Sequence, residues 1–230
     1  MRPTRALSAM NWRNAIGEVL LIVIGVSIAL AANSWYEDRQ KREEERAILA
    51  QIRQTLELDL VEFEGHQRAH LEQETGIIKL LEHMEGDDAY SPELDFLGSL
   101  RRWRQTASNR AAFEALRSRG FELVQDAELR SKIINYYEEL ALRPAQGALN
   151  DRAFVVSRIG PYMDRNFVFE DSRTMVPIDY DSLRRDVYFR NLCITKLRRL
   201  QNFILPNYQR TNKMIRELIA AVDIESERWR

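Results

Sequence analysis

Cysteine is almost missing from this chain: Cys193 is the only one in 230 residues. A single thiol excludes an intrachain disulfide framework and a multi-cysteine metal site. Glycine and proline are also scarce, at nine and six residues. That excludes a collagen-like repeat, a low-complexity linker and a turn-rich all-β fold. A charge of one sign is lacking too. Thirty-four basic side chains face 35 acidic ones, leaving a formal net charge of −1. There is no global field to attract nucleic acid or acidic substrates, and no nucleic-acid partner is expected. Gly-x-Ser-x-Gly elbows and Gly-x-x-x-x-Gly-Lys phosphate loops do not occur. Hydrophobic residues nevertheless make up 45% of the chain. That is enough apolar surface to offset chain entropy, and the length suits one domain or two small ones.

What is present is a strong local departure from the average. From Ala15 to Ala32 the sequence reads AIGEVLLIVIGVSIALAA, with Glu18 as its one charge. As a helix this run is roughly 27 Å long, close to a hydrocarbon core of about 30 Å. Trp12 and Trp35, with Tyr36, flank it as interfacial aromatics do. Three readings fit: an uncleaved anchor, a secretory signal ending at the small-x-small step Ala29-Leu30-Ala31, or a buried core helix. The anchor is preferred, because Glu18 interrupts a signal-like core and Trp35 leads into a polar helical continuation. Gly25 and Ala29 sit four residues apart, as do Ser27 and Ala31, a spacing that permits close helix approach and self-association. Glu18 lies within about a turn of the interface, where it can snorkel towards water or Arg13. Its functional alternative is an ion relay or a partner contact. Basic residues stand on both sides: Arg2, Arg5 and Arg13 before the run, and Arg39, Lys41, Arg42 and Arg46 after it. Export of a large domain behind a short basic tail puts the N-terminus in the cytoplasm and the bulk in the periplasm.

The division expected is therefore a short basic tail (1–14), a transmembrane anchor (15–35) and a soluble helical bundle (36–230). After Trp35, the run YEDRQKREEER reads as a solvated helix face. Ile48, Ile52, Leu56, Leu60 and Phe63 continue a helical stripe. It resumes at Ile77, Ile78, Leu81 and Met84, passes a possible irregularity at Gly65, and ends at Gly86. Ser91-Pro92 predicts a helix through Leu94, Leu97, Leu100 and Trp103. Ser108 predicts a short one carrying Phe113 and Leu116, stopped by Gly120. Asp126 predicts a third, ending before Pro144, with Tyr136 and Tyr137 divided between core and surface. A further helix is expected over 148–159, then an irregular connection over 160–177. Asp179 or Asp181 opens a last long helix that Pro206 should kink or break. The fold class is all-α: an N-terminal transmembrane helix continuing into a bundle of two long and several shorter helices.

Two stretches carry a resemblance. Ile16-Gly17-Glu18, the aliphatic run and Asn33-Ser34-Trp35 form the first. Phe113, Leu116, Gly120, Asp126, Leu129, Arg130, Tyr136 and Tyr137 form the second. Together the chain resembles a family of uncharacterised bacterial single-pass, membrane-anchored helical proteins. The family's usual Tyr at the first step of the middle motif is Phe113 here. The resemblance implies a bacterial inner-membrane helical protein and carries no activity, cofactor or catalytic residue.

Candidate chemistry is sparse. His66 and His70 are spaced i,i+4, with Glu62 and Glu74 a turn out on either side, a workable metal-ligand spacing on one helix face. The plainer reading is a glutamate-rich helix surface, since a metal site also needs supporting partners. Arg101, Arg102 and Arg104 around Trp103 form a basic cluster able to meet a protein partner or lipid headgroups, or simply a solvated face with Trp103 turned inward. Cys193 sits among apolar residues as an inert thiol. No cofactor is expected. The function expected is a non-enzymatic, membrane-anchored interaction or scaffold protein, such as an accessory subunit of a membrane complex, contacting the bilayer and a protein partner or a second copy. The alternatives are a sensor-like ligand-binding bundle, and a metal-dependent enzyme built on the Glu62/His66/His70/Glu74 face.

Overall fold

The computed structural model describes residues 12–171 and 174–228, with side chains from residue 17 onward. Two compact units emerge, residues 1–47 and 48–230. Helix α1 (Trp12–Glu85) belongs to both and runs for 74 residues. In the first unit, every described side chain from Gly17 to Glu44 is exposed. On its polar part Arg39 pairs with Glu43 at 3.2 Å, and the Asn33 and Gln40 amides donate to Glu37 and Glu44. Trp12 opens the helix, but its side chain, like those of Arg2, Arg5 and Arg13, lies outside the described residues.

The second unit is a helical bundle with one small hairpin. It contains the remainder of α1, then α2 (Ala111–Arg119), α3 (Ala127–Asn135), α4 (Leu142–Phe154), α5 (Gly160–Asn166), α6 (Tyr180–Arg185), α7 (Val187–Arg199) and α8 (Leu205–Glu227). Between α5 and α6, β1 (Phe167–Phe169) pairs antiparallel with β2 (Met175–Pro177), in the register Phe167 to Pro177. On α1 the buried positions step by three and four: Leu49, Ile52, Leu56, Phe63, Ile77, Leu80 and Met84. This stripe packs with Phe113, Leu116, Ile133, Leu200, Ile215, Leu218 and Val222 in one core. Gly65 leaves α1 unbroken.

Several expected helix ends fall elsewhere. Ser91-Pro92 forms a turn rather than a helix start, and only a five-residue π turn, Leu97–Arg101, follows before an irregular stretch over 102–110. The reason lies on α1. Gln73 Nε2 donates to the Arg102 carbonyl at 2.9 Å and to the Gly98 carbonyl at 3.4 Å, while the Asn109 N–H donates to Asp59 at 2.8 Å. Side chains of α1 thus satisfy backbone groups that would otherwise need a helix of their own. The start of α2 is served by Asn109, whose Oδ1 accepts from the Ala111 N–H at 3.1 Å, and not by Ser108. Gly120 ends α2 with φ of 102°, a conformation that a Cβ would strain. The Asp126, Asp179 and Asp186 carboxylates cap α3, α6 and α7 by accepting from backbone amides of the first turn.

Pro144 does not end a helix as expected, while the interruption expected at Pro206 is present just upstream of it. Pro144 lies in the first turn of α4, Pro161 in that of α5 and Pro206 in that of α8. Each follows a π turn: Tyr136–Leu140, Val155–Ile159 and Leu200–Ile204. Proline lacks an N–H and its ring clashes with the carbonyl four residues back. A widened turn just upstream removes the need for that bond and makes room for the ring. Hence the helical path runs on to Asn166 where the sequence predicts a loop, and α7 passes into α8 through a π turn; α6 is set off from α7 separately, at the extended Asp186. The widened turn at 136–140 also turns both Tyr136 and Tyr137 into the core, where they are fully buried rather than split with the surface.

Candidate functional site

The aliphatic run is the most distinctive surface of the first unit. Nine large apolar side chains from Val19 to Leu30 are each 52–72% exposed. By length and composition α1 is a candidate membrane span near the N-terminus, and none of its apolar window is buried within the chain. Glu18, Gly25, Ala29 and Trp35 are all exposed on this helix. An added Cβ at Gly17 or Gly25 would meet nothing within 4 Å, so the small-residue face is open. Around Trp35, Arg39 places its guanidinium 5.7 Å from the indole centroid.

In the second unit the notable chemistry is buried. Lys196 (0% exposed) donates to both oxygens of Asp151 (1% exposed) at 2.7 and 2.6 Å. It also reaches the Arg102 carbonyl at 3.5 Å, where Gln73 donates as well. Burial pushes the Lys196 amine below its usual range, against the opposing pull of Asp151. His70 Nδ1 lies 3.3 Å from Gln73 Oε1, and the His70 ring lies 5.5 Å from that of Tyr208. Burial pushes His70 down to about 4. A second cluster holds Asp59, which accepts from the Tyr136 hydroxyl at 2.8 Å and from the Asn109 N–H. Burial raises its carboxyl, opposed by those same bonds. These are hydrogen-bonded core groups, each with a protein partner.

The four-residue metal face does not converge. Glu62 is exposed. His66 is half-buried with Nδ1 3.4 Å from the Tyr208 hydroxyl, and His70 faces the core. Glu74 accepts from Gln201 at 2.8 Å. Successive i,i+4 steps advance a helix by about 40° each, so Glu62 and Glu74 diverge by about 120°. Among the described residues no group of three His, Cys, Asp or Glu side chains is placed to hold a metal ion. The arginine cluster also separates. Arg101 pairs with Asp164 at 2.5 Å and lies 5.7 Å from the centre of the Phe169 ring. Arg102 has an exposed side chain and offers its carbonyl inward, and Arg104 is half-buried near His66. Trp103 packs on the core under the Arg152 guanidinium, 4.9 Å away. Cys193 is fully buried, and burial pushes its thiol up to about 12, far from a working thiolate.

Sequence reasoning passed over Asp151 and Lys196. The signal was phase: Ala148, Asp151, Val155 and Ile159 share a stripe, as do Phe189, Leu192, Cys193, Lys196 and Leu200. Polar residues in phase with apolar ones are core residues.

His70 gives a direct pH prediction. Its folded pKa of about 4 lies below the ordinary 6.5, so the unfolded chain binds more protons between these values. The stability His70 contributes is complete above pH 6.5 and is lost as pH falls towards 4, about 3 kcal/mol in all. Denaturant titrations at pH 7 and pH 4 should show His70→Gln losing less stability than wild type by about that amount. Equal pH slopes in the two proteins would contradict the assignment.

Comparison of the chain with family models, with curated proteins and with solved structures finds no match in any of the three.

Proposed function

We propose that this protein is a non-enzymatic interaction module held on a membrane by the 15–35 segment of α1. The observation supporting this reading is the exposed aliphatic run: nine large aliphatic side chains from Val19 to Leu30, each more than half exposed among the described residues. A core helix of that composition would be buried. At about −0.3 to −0.6 kcal/mol each on an insertion scale, the nine contribute roughly −3 to −5 kcal/mol towards spanning a bilayer. Glu18 stands near the start of the run, where snorkelling lowers its cost. The bundle that follows is closed around its own core, and its buried charged pair Asp151–Lys196 and the Asp59–Tyr136 pair are bonded to each other rather than arranged around an open reacting centre. Membership in the bacterial single-pass family resembled by the IGE…NSW and Gly120…Tyr137 motifs belongs to this proposal. So do an inner-membrane location, a cytoplasmic N-terminus and a periplasmic bundle. The partner is a protein of a membrane complex or a second copy. A cleft of about 350 Å³ in the second unit favours the alternative of a ligand-binding sensor bundle.

The test is alkaline carbonate extraction of membranes containing the full chain. Wild type should stay in the membrane pellet, with residues 15–32 retained by intact mass. Ile24→Arg, which places a charge near the middle of the run at about 2.5–3.5 kcal/mol, should shift a large share to the supernatant. A mature chain beginning after Ala31 would sink the anchor. Mild-detergent purification should bring down a stoichiometric partner or a defined oligomer, and a bare monomer would sink the interaction module. Protease protection of the bundle in spheroplasts would reverse the topology.

A further inference from the structure

The cleft of about 350 Å³ lies between α4 and the π turn leading into α8, lined by Arg143, Gln146, Asn150, Arg199, Phe203 and Asn207 among others. No acidic residue lines it. Its two guanidiniums differ. Arg143 is paired with Glu139 one turn back on the chain. Arg199 has no carboxylate partner among the described residues. Its Nη2 donates to the Asn150 carbonyl at 2.8 Å, its face lies 5.1 Å from the Phe154 ring centre, and its Nε is buried without an acceptor.

The charges beneath explain why Arg199 stands alone. Asp151, the nearest buried acid on α4, is bonded through both oxygens to Lys196, one turn before Arg199 on α7. Lys196 and Arg199 repel each other. Three groups therefore carry a local net charge of +1, and the guanidinium that carries it belongs to a residue of the cleft lining. Gln146 Nε2 donates to Asn150 Oδ1 at 3.1 Å, which fixes that amide with its Nδ2 donor to spare. Across the cleft Phe203 holds its ring 65% exposed. One free cation, a fixed amide donor and an open aromatic face match a single negative charge on an apolar body.

We propose that this cleft binds a small monoanionic carboxylate with an apolar, ring-sized body, the carboxylate on Arg199 and Asn150 and the body against Phe203. A dianionic phosphate suits it less, because Arg143 is already neutralised by Glu139. The inference concerns the second unit alone and does not depend on the membrane reading.

The test is ¹⁹F NMR of 4-(trifluoromethyl)phenylacetate titrated with the full-length protein, with the corresponding amide and inorganic phosphate as comparison probes. The acid should show saturable line broadening, the amide at least about tenfold weaker binding, and phosphate no displacement at equal concentration. Arg199→Gln should weaken the acid by about tenfold or more. Phe203→Ala, at an exposed position that leaves the fold intact, should weaken it about threefold to tenfold. Arg158→Gln, an exposed arginine outside the cleft, should stay within about twofold of wild type. Thermal melts check that each variant is folded; if Arg199→Gln is not, the Phe203→Ala result decides. Absence of saturable binding, equal binding of the amide, displacement by phosphate, or an unchanged affinity in Phe203→Ala would each overturn the proposal.

Discussion

Asp151→Ala lowers the unfolding free energy of this protein by about 3–5 kcal/mol, the usual cost of leaving one member of a buried ion pair without its partner. Lys196 is wholly enclosed, and its ammonium has only the Arg102 carbonyl at 3.5 Å once the carboxylate is removed. The pull of Asp151 also holds the amine's pKa up against burial, so the variant's Lys196 pKa falls further below 10.5. A base with a depressed folded pKa contributes stability that is complete above its unfolded pKa and is lost as pH falls through the folded one. The deficit of Asp151→Ala therefore grows as the solution is acidified, until Lys196 is protonated in both states. A paired replacement, Asp151→Leu with Lys196→Met, removes both charges together and should recover most of the loss. Denaturant titration of the two variants at two pH values measures both effects. A double variant as unstable as the single one would show that the pair itself, and not the orphaned charge, dominates.

Phe113→Ala should be of similar size, about 3–5 kcal/mol. The ring is fully buried and stacks on Tyr137 with centroids 4.7 Å apart and an interplanar angle of 19°. It also meets Phe121 at 5.7 Å, and the guanidiniums of Arg110 and Arg117 lie 5.1 and 5.8 Å from its centre. Its removal leaves a cavity walled by aromatic rings that are themselves held. Tyr137 is tied to the Thr55 hydroxyl at 3.1 Å, and Tyr136 to Asp59. Little collapse is available to offset the lost contacts. A midpoint shift in denaturant without a change in slope would register this. A loss under 1 kcal/mol would mean that the ring cluster rearranges freely.

The amount legible in the sequence varies with the kind of signal. The long stripe from Ile48 to Met84 and the aspartate cap of α3 rest on local periodicity and local hydrogen bonding, and both are in the structure. Pro144 reads as a helix stop but lies in the first turn of α4, because an upstream π turn is a backbone adjustment with no residue signature of its own, whereas at Pro206 the expected interruption is present, just upstream at 200–204. The segment over 91–110 misled for another reason: its amides and carbonyls are satisfied by Asp59 and Gln73, which lie dozens of residues earlier. The buried polar groups were readable in principle. Asp59, His70 and Gln73 fall in step with the apolar residues of α1, and spacing between histidines drew attention away from that phase. Arg199 was not readable at all, since its lack of a carboxylate partner depends on where Asp151 directs its two oxygens.

The three widened turns at 136–140, 155–159 and 200–204 also fix the bookkeeping of chain length. Each takes one residue more than an ordinary helical turn, so deleting one residue there would close it to α geometry with its flanks still in phase, whereas a residue added or removed elsewhere in these helices rotates every later side chain by about 100°. Tyr137, Asp151 and Lys196 all lie at or between such turns, and all are buried. Packing thus fixes the length of each helical segment between these turns, and the turns themselves are where one residue can be lost without putting the core out of phase.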